Sequence, residues 1–198
     1  MKYLKQDMMR LLTGLLLLPF FYSCASYENK QVRKNAVQLH ESEINRFNGT
    51  YELYPDIDYD HKDNPKSSEK WASKLHLPSA IDNRSTVYDS LKQYTVRLNV
   101  LDKNTMQFIV HDQQKPVDTI LLKGKLKRNG LFYFKNLEVK SHGVPYLFGG
   151  TQSNKSRIGL TADNGLLVNQ AYDNSGALLL IFWSGNAYNS TLHYKRIE

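Results

Sequence analysis

The chain has 198 residues, 23% of them charged and 41% hydrophobic, with one cysteine and a formal net charge of +7. That length suits one domain able to bury a substantial core. A single cysteine excludes an internal disulfide framework and any multi-cysteine metal cage, and Lys and Arg scattered along the chain make no nucleic-acid footprint.

At the N-terminus, Lys2, Lys5 and Arg10 form a basic region, residues 11–22 form an apolar run, and the small Ser23 stands just before Cys24. The apolar run is shorter than the ~20 residues a membrane-spanning helix needs. This segment resembles a bacterial lipoprotein signal peptide. Phe21 and Tyr22 stand where many members carry Leu and a small residue, as in the looser motif of Bacteroidetes-type bacteria. The resemblance implies cleavage after Ser23 and acylation of Cys24 by palmitate-type chains. It also implies anchoring in the cell envelope, at the outer membrane, on a face left open. Cleavage would leave 23 basic against 18 acidic residues, a net +5. More than one acyl chain makes such anchoring stable.

Residues 24–46 then read as a lipidated tether and a short helix, with residues 47–198 as a single β domain. Val32, Ala36, Val37, Ile44 and Phe47 recur at helical spacings, which predicts one amphipathic helix over residues 30–46. Residues 49–54 are rich in β-formers and stop at Pro55. The stretch 55–92 that follows has no clean period, and helical turns are expected at residues 69–75, bringing Trp71 onto the core, and at residues 86–91.

From Tyr94 onward the pattern alternates. Val96, Leu98 and Val100 precede a turn, then Met106, Phe108 and Val110 return. Ile120, Leu122 and Leu126 lie on one face of the next strand, and Asn129-Gly130 is a strong two-residue hairpin signal. Further strands are expected at residues 131–140, 157–162, 166–172, 177–183 and 191–196, with a turn at residues 173–176. The run ALLLIFW, residues 177–183, is apolar on both faces and so predicts a strand covered on both sides, with residues 30–46 and the Trp71 segment as covers. Residues 143–150 read as a loop whose Tyr146 and Phe148 face either a ligand or the core.

The fold expectation is therefore all-β: an antiparallel up-and-down meander of about eight to nine strands, with a short N-terminal helix and a long, partly helical insertion after the first strand. The opening RFNGTYELYP, residues 46–55, resembles the first strand of a lipocalin or calycin-type barrel, with Tyr51 where that family carries Trp after Gly-x. The resemblance implies that Arg196, near the end of the last strand, covers Tyr51 across the barrel floor. Thr161, Ala162 and Asp163 only faintly echo the family's Thr-Asp-Tyr motif.

No nucleophile elbow, P-loop or dinucleotide fingerprint is present, and His40-Glu41 lacks the second His of a zinc helix. No enzymatic activity and no cofactor are expected. Asp56, Asp58 and Asp60 alternate as Ca²⁺ ligands can, but the EF-hand positions for Gly and Glu hold His61 and Ser67, which favours a solvated acidic loop. Two functions stay open. One is a membrane-anchored, lipocalin-like module that binds a small apolar ligand between Val96, Leu98, Phe108, Leu122 and Phe134. The other is a structural or interaction lipoprotein with a self-filled barrel and an envelope protein as its partner.

Overall fold

The computed structural model describes residues 26–28, 30–59, 76–82, 86–89, 91–135, 138–144, 148–178 and 182–198. Among the described residues, three short helices accompany ten strands. Helix α1 is Lys30–Asn35, a 3-10 helix spans Glu41–Phe47, and α2 is Leu77–Asp82. The strands are β1 Gly49–Glu52, β2 Ile57–Asp58, β3 Tyr94–Asp102, β4 Thr105–Asp112, β5 Lys115–Leu126, β6 Phe132–Phe134, β7 Glu138–Val144, β8 Phe148–Leu160, β9 Leu166–Leu178 and β10 Phe182–Tyr194.

Every pairing is antiparallel, in the order β1-β3-β4-β5-β6-β8-β9-β10-β2, with β7 beside β8. The two ends of this order meet. Tyr51 bridges Arg196, the Thr50 amide donates to Glu198 O at 3.0 Å, and the Glu52 amide donates to Lys195 O at 2.9 Å. Past Pro55 the same segment stays on β10, where Ile57 and Asp58 pair with His193 and Leu192. A meander curled until its first strand bonds its last is an all-β, lipocalin-like barrel arrangement, and it leaves no open edge at that seam.

Alternation of side chains supplies the core. Val96 and Leu98 on β3, Met106, Phe108 and Val110 on β4, Ile120 on β5, Phe132 on β6, Ile158 and Leu160 on β8, and Leu166 and Val168 on β9 all point inward and are fully buried. Their neighbours in sequence, such as Leu101 and Leu121, face outward and are exposed. The 3-10 helix brings Ile44 and Phe47 under the end of the barrel where β8 turns into β9. At the other end α2 inserts Leu77, Ala80 and Ile81, and Ile81 O accepts the Ser156 hydroxyl at 2.7 Å. Each fully buried aliphatic or aromatic side chain contributes about 1.5–3 kcal/mol.

The single helix expected over residues 30–46 is divided. After α1, Ala36 bridges Thr161 and the Val37 amide donates to Leu160 O at 2.7 Å, so sheet-type hydrogen bonds replace the next helical turn. Val32 packs outside the barrel on Leu131 and Leu167, whereas Ile44 and Phe47 belong to the main core. The turn expected at residues 86–91 is not helical over its described part. Among the described residues of this insertion a helix lies earlier, at Leu77–Asp82, with Pro78 in its first turn, where a missing amide costs nothing. Residues 69–75, Trp71 among them, lie outside the described residues.

The run 177–183 is not one strand. Residues 177–178 end β9 and residues 182–183 begin β10, paired antiparallel with each other, and residues 179–181 between them lie outside the described residues. β9 also runs through residues 173–176, where a turn was expected, because Asp173 to Gly176 stay in register with both β8 and β10. Of the covers expected for that run, α1 lies instead on Leu167 and Leu131, and the Trp71 segment is outside the described residues.

Candidate functional site

The five residues read as a ligand lining do face the barrel interior. Val96, Leu98 and Phe108 are 0% exposed, and Leu122 and Phe134 are 7% exposed. They touch one another and their neighbours: the Phe108 and Phe134 rings meet edge to face at 5.9 Å, and Phe134 meets Phe132 at 5.4 Å. A void large enough for a water-sized probe would leave its lining accessible. None borders Val96, Leu98 or Phe108, whereas Leu122 and Phe134 keep a small exposed fraction.

The floor pair is held by the backbone around it. Arg196 Cζ lies 5.9 Å from the Tyr51 ring centroid, and its guanidinium donates to Asn48 O at 2.6 Å, Arg46 O at 3.2 Å and Glu198 O at 2.8 Å. Gly49 makes this possible, because a Cβ there would sit 2.7 Å from Arg196 Nε. The Tyr51 hydroxyl donates to Phe47 O at 2.9 Å, and burial pushes its pKa up to about 12, with the Arg196 charge pulling the other way.

Of the three alternating aspartates, Asp56 and Asp58 lie apart in role and Asp60 lies outside the described residues. Asp58 stands in β2 opposite Leu192. Asp56 instead reaches His193, with Oδ1 2.6 Å from Nδ1. On the other side of the same ring, Nε2 is 3.5 Å from Asp163 Oδ2, and Asp163 accepts a short hydrogen bond from the Thr161 hydroxyl. His193 is 2% exposed. Burial pulls its pKa down, but Asp56 and Asp163 together push it further up, so the net direction is upward. The arrangement is a clasp that joins three chain segments, the approach to β2, the β8–β9 turn and β10. Among the described residues no group of three His, Cys, Asp or Glu side chains is placed to hold a metal ion.

Outside the barrel, a cavity of about 620 Å³ opens between the N-terminal segment and the wall, lined by Tyr27, Val32, Arg33, Gln38, Tyr133 and Arg157 among others. Arg157, 2% exposed, dominates it. Its Nε donates to Asn169 Oδ1 at 2.8 Å, Nη1 to Tyr133 Oη at 2.6 Å and Nη2 to Glu28 O at 3.1 Å, and its guanidinium lies 4.2 Å from the Tyr27 ring. Charge-assisted bonds of this kind are among the stronger ones available to a chain. They fasten residues 27–28 against β8, and the Glu28 amide adds a bond to Asn189 Oδ1 at 2.9 Å.

Arg157, His193 and Asp163 were not singled out together by the sequence reading. Each of these contacts joins residues far apart in the chain, so no local spacing could announce them. Cys24 and Tyr146 lie outside the described residues, and Phe148 is placed only by its register, opposite Leu178 and Val144. Among the described residues no helix is long and apolar enough to cross a membrane. No protein-family model, no curated protein and no solved structure matches this chain.

Proposed function

We propose that this chain is a lipid-anchored protein of the cell envelope whose barrel is a filled scaffold that positions outer surfaces for contact, with no enzymatic step. The observation behind this reading is the full burial and mutual contact of Val96, Leu98 and Phe108 where an apolar ligand would have to sit. An eight-position barrel is just wide enough to fill itself or to hold one small ligand. Here the side chains take up that room. The fastening of residues 27–28 on β8 and β10 favours a tether of fixed origin, with an acyl-bearing Cys24 three residues further on.

Native mass spectrometry of the mature protein extracted from membranes tests this reading. The expected mass is the polypeptide plus the acyl groups on Cys24, unchanged by mild organic extraction. One apolar molecule per chain, released by that extraction and replaced by a fluorescent fatty acid, would return the barrel to the ligand-carrying function.

A further inference from the structure

The cavity outside the barrel has two walls that are far apart in the chain. One is the N-terminal segment, with Tyr27 and, on α1, Val32 and Arg33, followed by Ala36; the other carries Asn129, Leu131, Tyr133 and Arg157. Part of the lining is apolar, because Val32 and Leu131 are buried together with Leu167, and Ala36 and Tyr133 pack against them. The charges of the lining are both positive. They are the guanidinium groups of Arg33 and Arg157, and among the described residues no acidic side chain lines the space. A volume of about 620 Å³ with apolar walls and a few convergent polar groups is of the kind that holds a small molecule.

Two polar groups of the lining keep bonding capacity. Tyr133 Oη accepts hydrogen bonds from Asn129 Nδ2 at 2.9 Å and from Arg157 Nη1 at 2.6 Å, which occupy both of its lone pairs. Its own hydrogen is left to be donated, and among the described residues no acceptor takes it. Two donors on one oxygen polarise the O–H, and Lys127 Nζ, 4.0 Å from the ring centroid, adds a positive charge beside it. The Arg33 side chain is exposed, and among the described residues it makes no hydrogen bond, ion pair or ring contact. Arg157 plays a different part. Its bonds to Asn169, Tyr133 and Glu28 hold the guanidinium in place, so it fixes the Tyr133 hydroxyl that it polarises.

We propose that this cavity binds a small organic anion, a carboxylate or phosphate group on a compact apolar body. The site goes beyond the filled-scaffold reading and does not depend on the lipid anchor. The oxyanion accepts the Tyr133 O–H and pairs with the Arg33 guanidinium, while the apolar body lies on Val32, Ala36 and Leu131. Bonds from a charged donor to a carboxylate or phosphate are among the stronger ones, and the planar fork of arginine matches both groups. A cation is disfavoured by Arg33, Arg157 and Lys127. A neutral apolar molecule would desolvate the Tyr133 hydroxyl without accepting its hydrogen, which carries a penalty of its own. Because Arg33 belongs to the N-terminal segment and Tyr133 to the barrel wall, the occupant joins the two.

The test is an NMR titration of the full mature chain, isotope-labelled and held in a neutral detergent. The probes are phenyl phosphate and benzoate, with benzyl alcohol and benzylamine as their neutral and cationic counterparts. Both anions should give saturable shifts of the Val32, Ala36, Asn129 and Leu131 amides, and the counterparts should bind about tenfold more weakly or not at all. Arg33→Gln should weaken phenyl phosphate binding about tenfold at an unchanged melting temperature, and Arg33→Lys should recover part of the loss. Tyr133→Phe, which keeps the ring, should weaken it as well. No saturable shift with either anion up to about 20 mM would overturn the site. So would phenyl phosphate bound equally well by Arg33→Gln and Tyr133→Phe, or benzyl alcohol bound as tightly as the anions. Inorganic phosphate bound as tightly as phenyl phosphate would overturn the organic ligand, since the apolar lining would then contribute nothing. Shifts that appear instead at Val96, Leu98 and Phe108 would place the ligand inside the barrel and overturn the outer site.

Discussion

His193 stands between two carboxylates, and the linkage between its proton and the fold has a definite sign. Its pKa is raised on folding, because Asp56 and Asp163 outweigh the burial that opposes them. Such a group contributes stability in full below its unfolded pKa of about 6.5 and loses it as pH rises through the folded value. Urea unfolding followed from pH 6 upward should therefore show stability falling above about pH 6.5, and His193→Gln should flatten that part of the profile. Asp163 works in the opposite window: the Thr161 hydroxyl and then the His193 charge hold its pKa below the usual carboxylate value, against the effect of burial. Gly165 closes the same clasp, since a Cβ there would lie 1.9 Å from His193 Nε2. Gly165→Ala should cost about 1–3 kcal/mol, as overpacking does. At the barrel floor, a double-mutant cycle on Tyr51→Leu and Arg196→Met should return a coupling of about 0.5–2 kcal/mol, and additive losses would mean that the ring and the guanidinium do not interact.

Among the elements, those specified by local chemistry could be read and those specified by distant partners could not. The place of the Asn129-Gly130 turn was legible because its requirement is local: Gly130 has φ 78° and the Asn129 side chain accepts the Leu131 amide at 3.3 Å, although the connection between Leu126 and Phe132 is longer than the two-residue turn expected. The turn is also a packing site, because a Cβ on Gly130 would sit 2.4 Å from the Leu39 amide nitrogen. Gly130→Ala should therefore destabilise by more than about 1 kcal/mol, measurable as a lower urea midpoint. The paired strands β3 and β4 were legible for a similar reason, since alternation over Val96, Leu98, Phe108 and Val110 matches one buried face. Residues 30–46 misled because helical spacing survives a break: Val32 serves one cluster and Ile44 another, and Leu160 takes the Val37 amide between them. ALLLIFW misled because an apolar run gives the same signal within one strand and across the ends of two paired strands. Only register with β8 separates the two.

For the whole molecule, the sequence disclosed the class and the meander but not how closely the inward side chains pack. Alternation says which side chains point inward, whereas closeness of packing depends on how eight positions of wall meet across the middle. The candidate site shared that limit: Val96, Leu98 and Phe108 were placed on the inner face by their spacing, yet spacing is silent on whether the rings of Phe108, Phe134 and Phe132 touch. They do, at 5.9 and 5.4 Å. Phe108→Ala is therefore a test of the filled scaffold. With its ring fully buried, truncation should cost about 3–5 kcal/mol, part of it from the cavity left behind. Such a cavity, lined by Leu98, Ile120 and Phe134, would be apolar and dry, and it should admit xenon or benzene where the native protein admits neither. Stoichiometric benzene binding by the native chain, unchanged in the variant, would mean that space for an apolar ligand exists inside the barrel already.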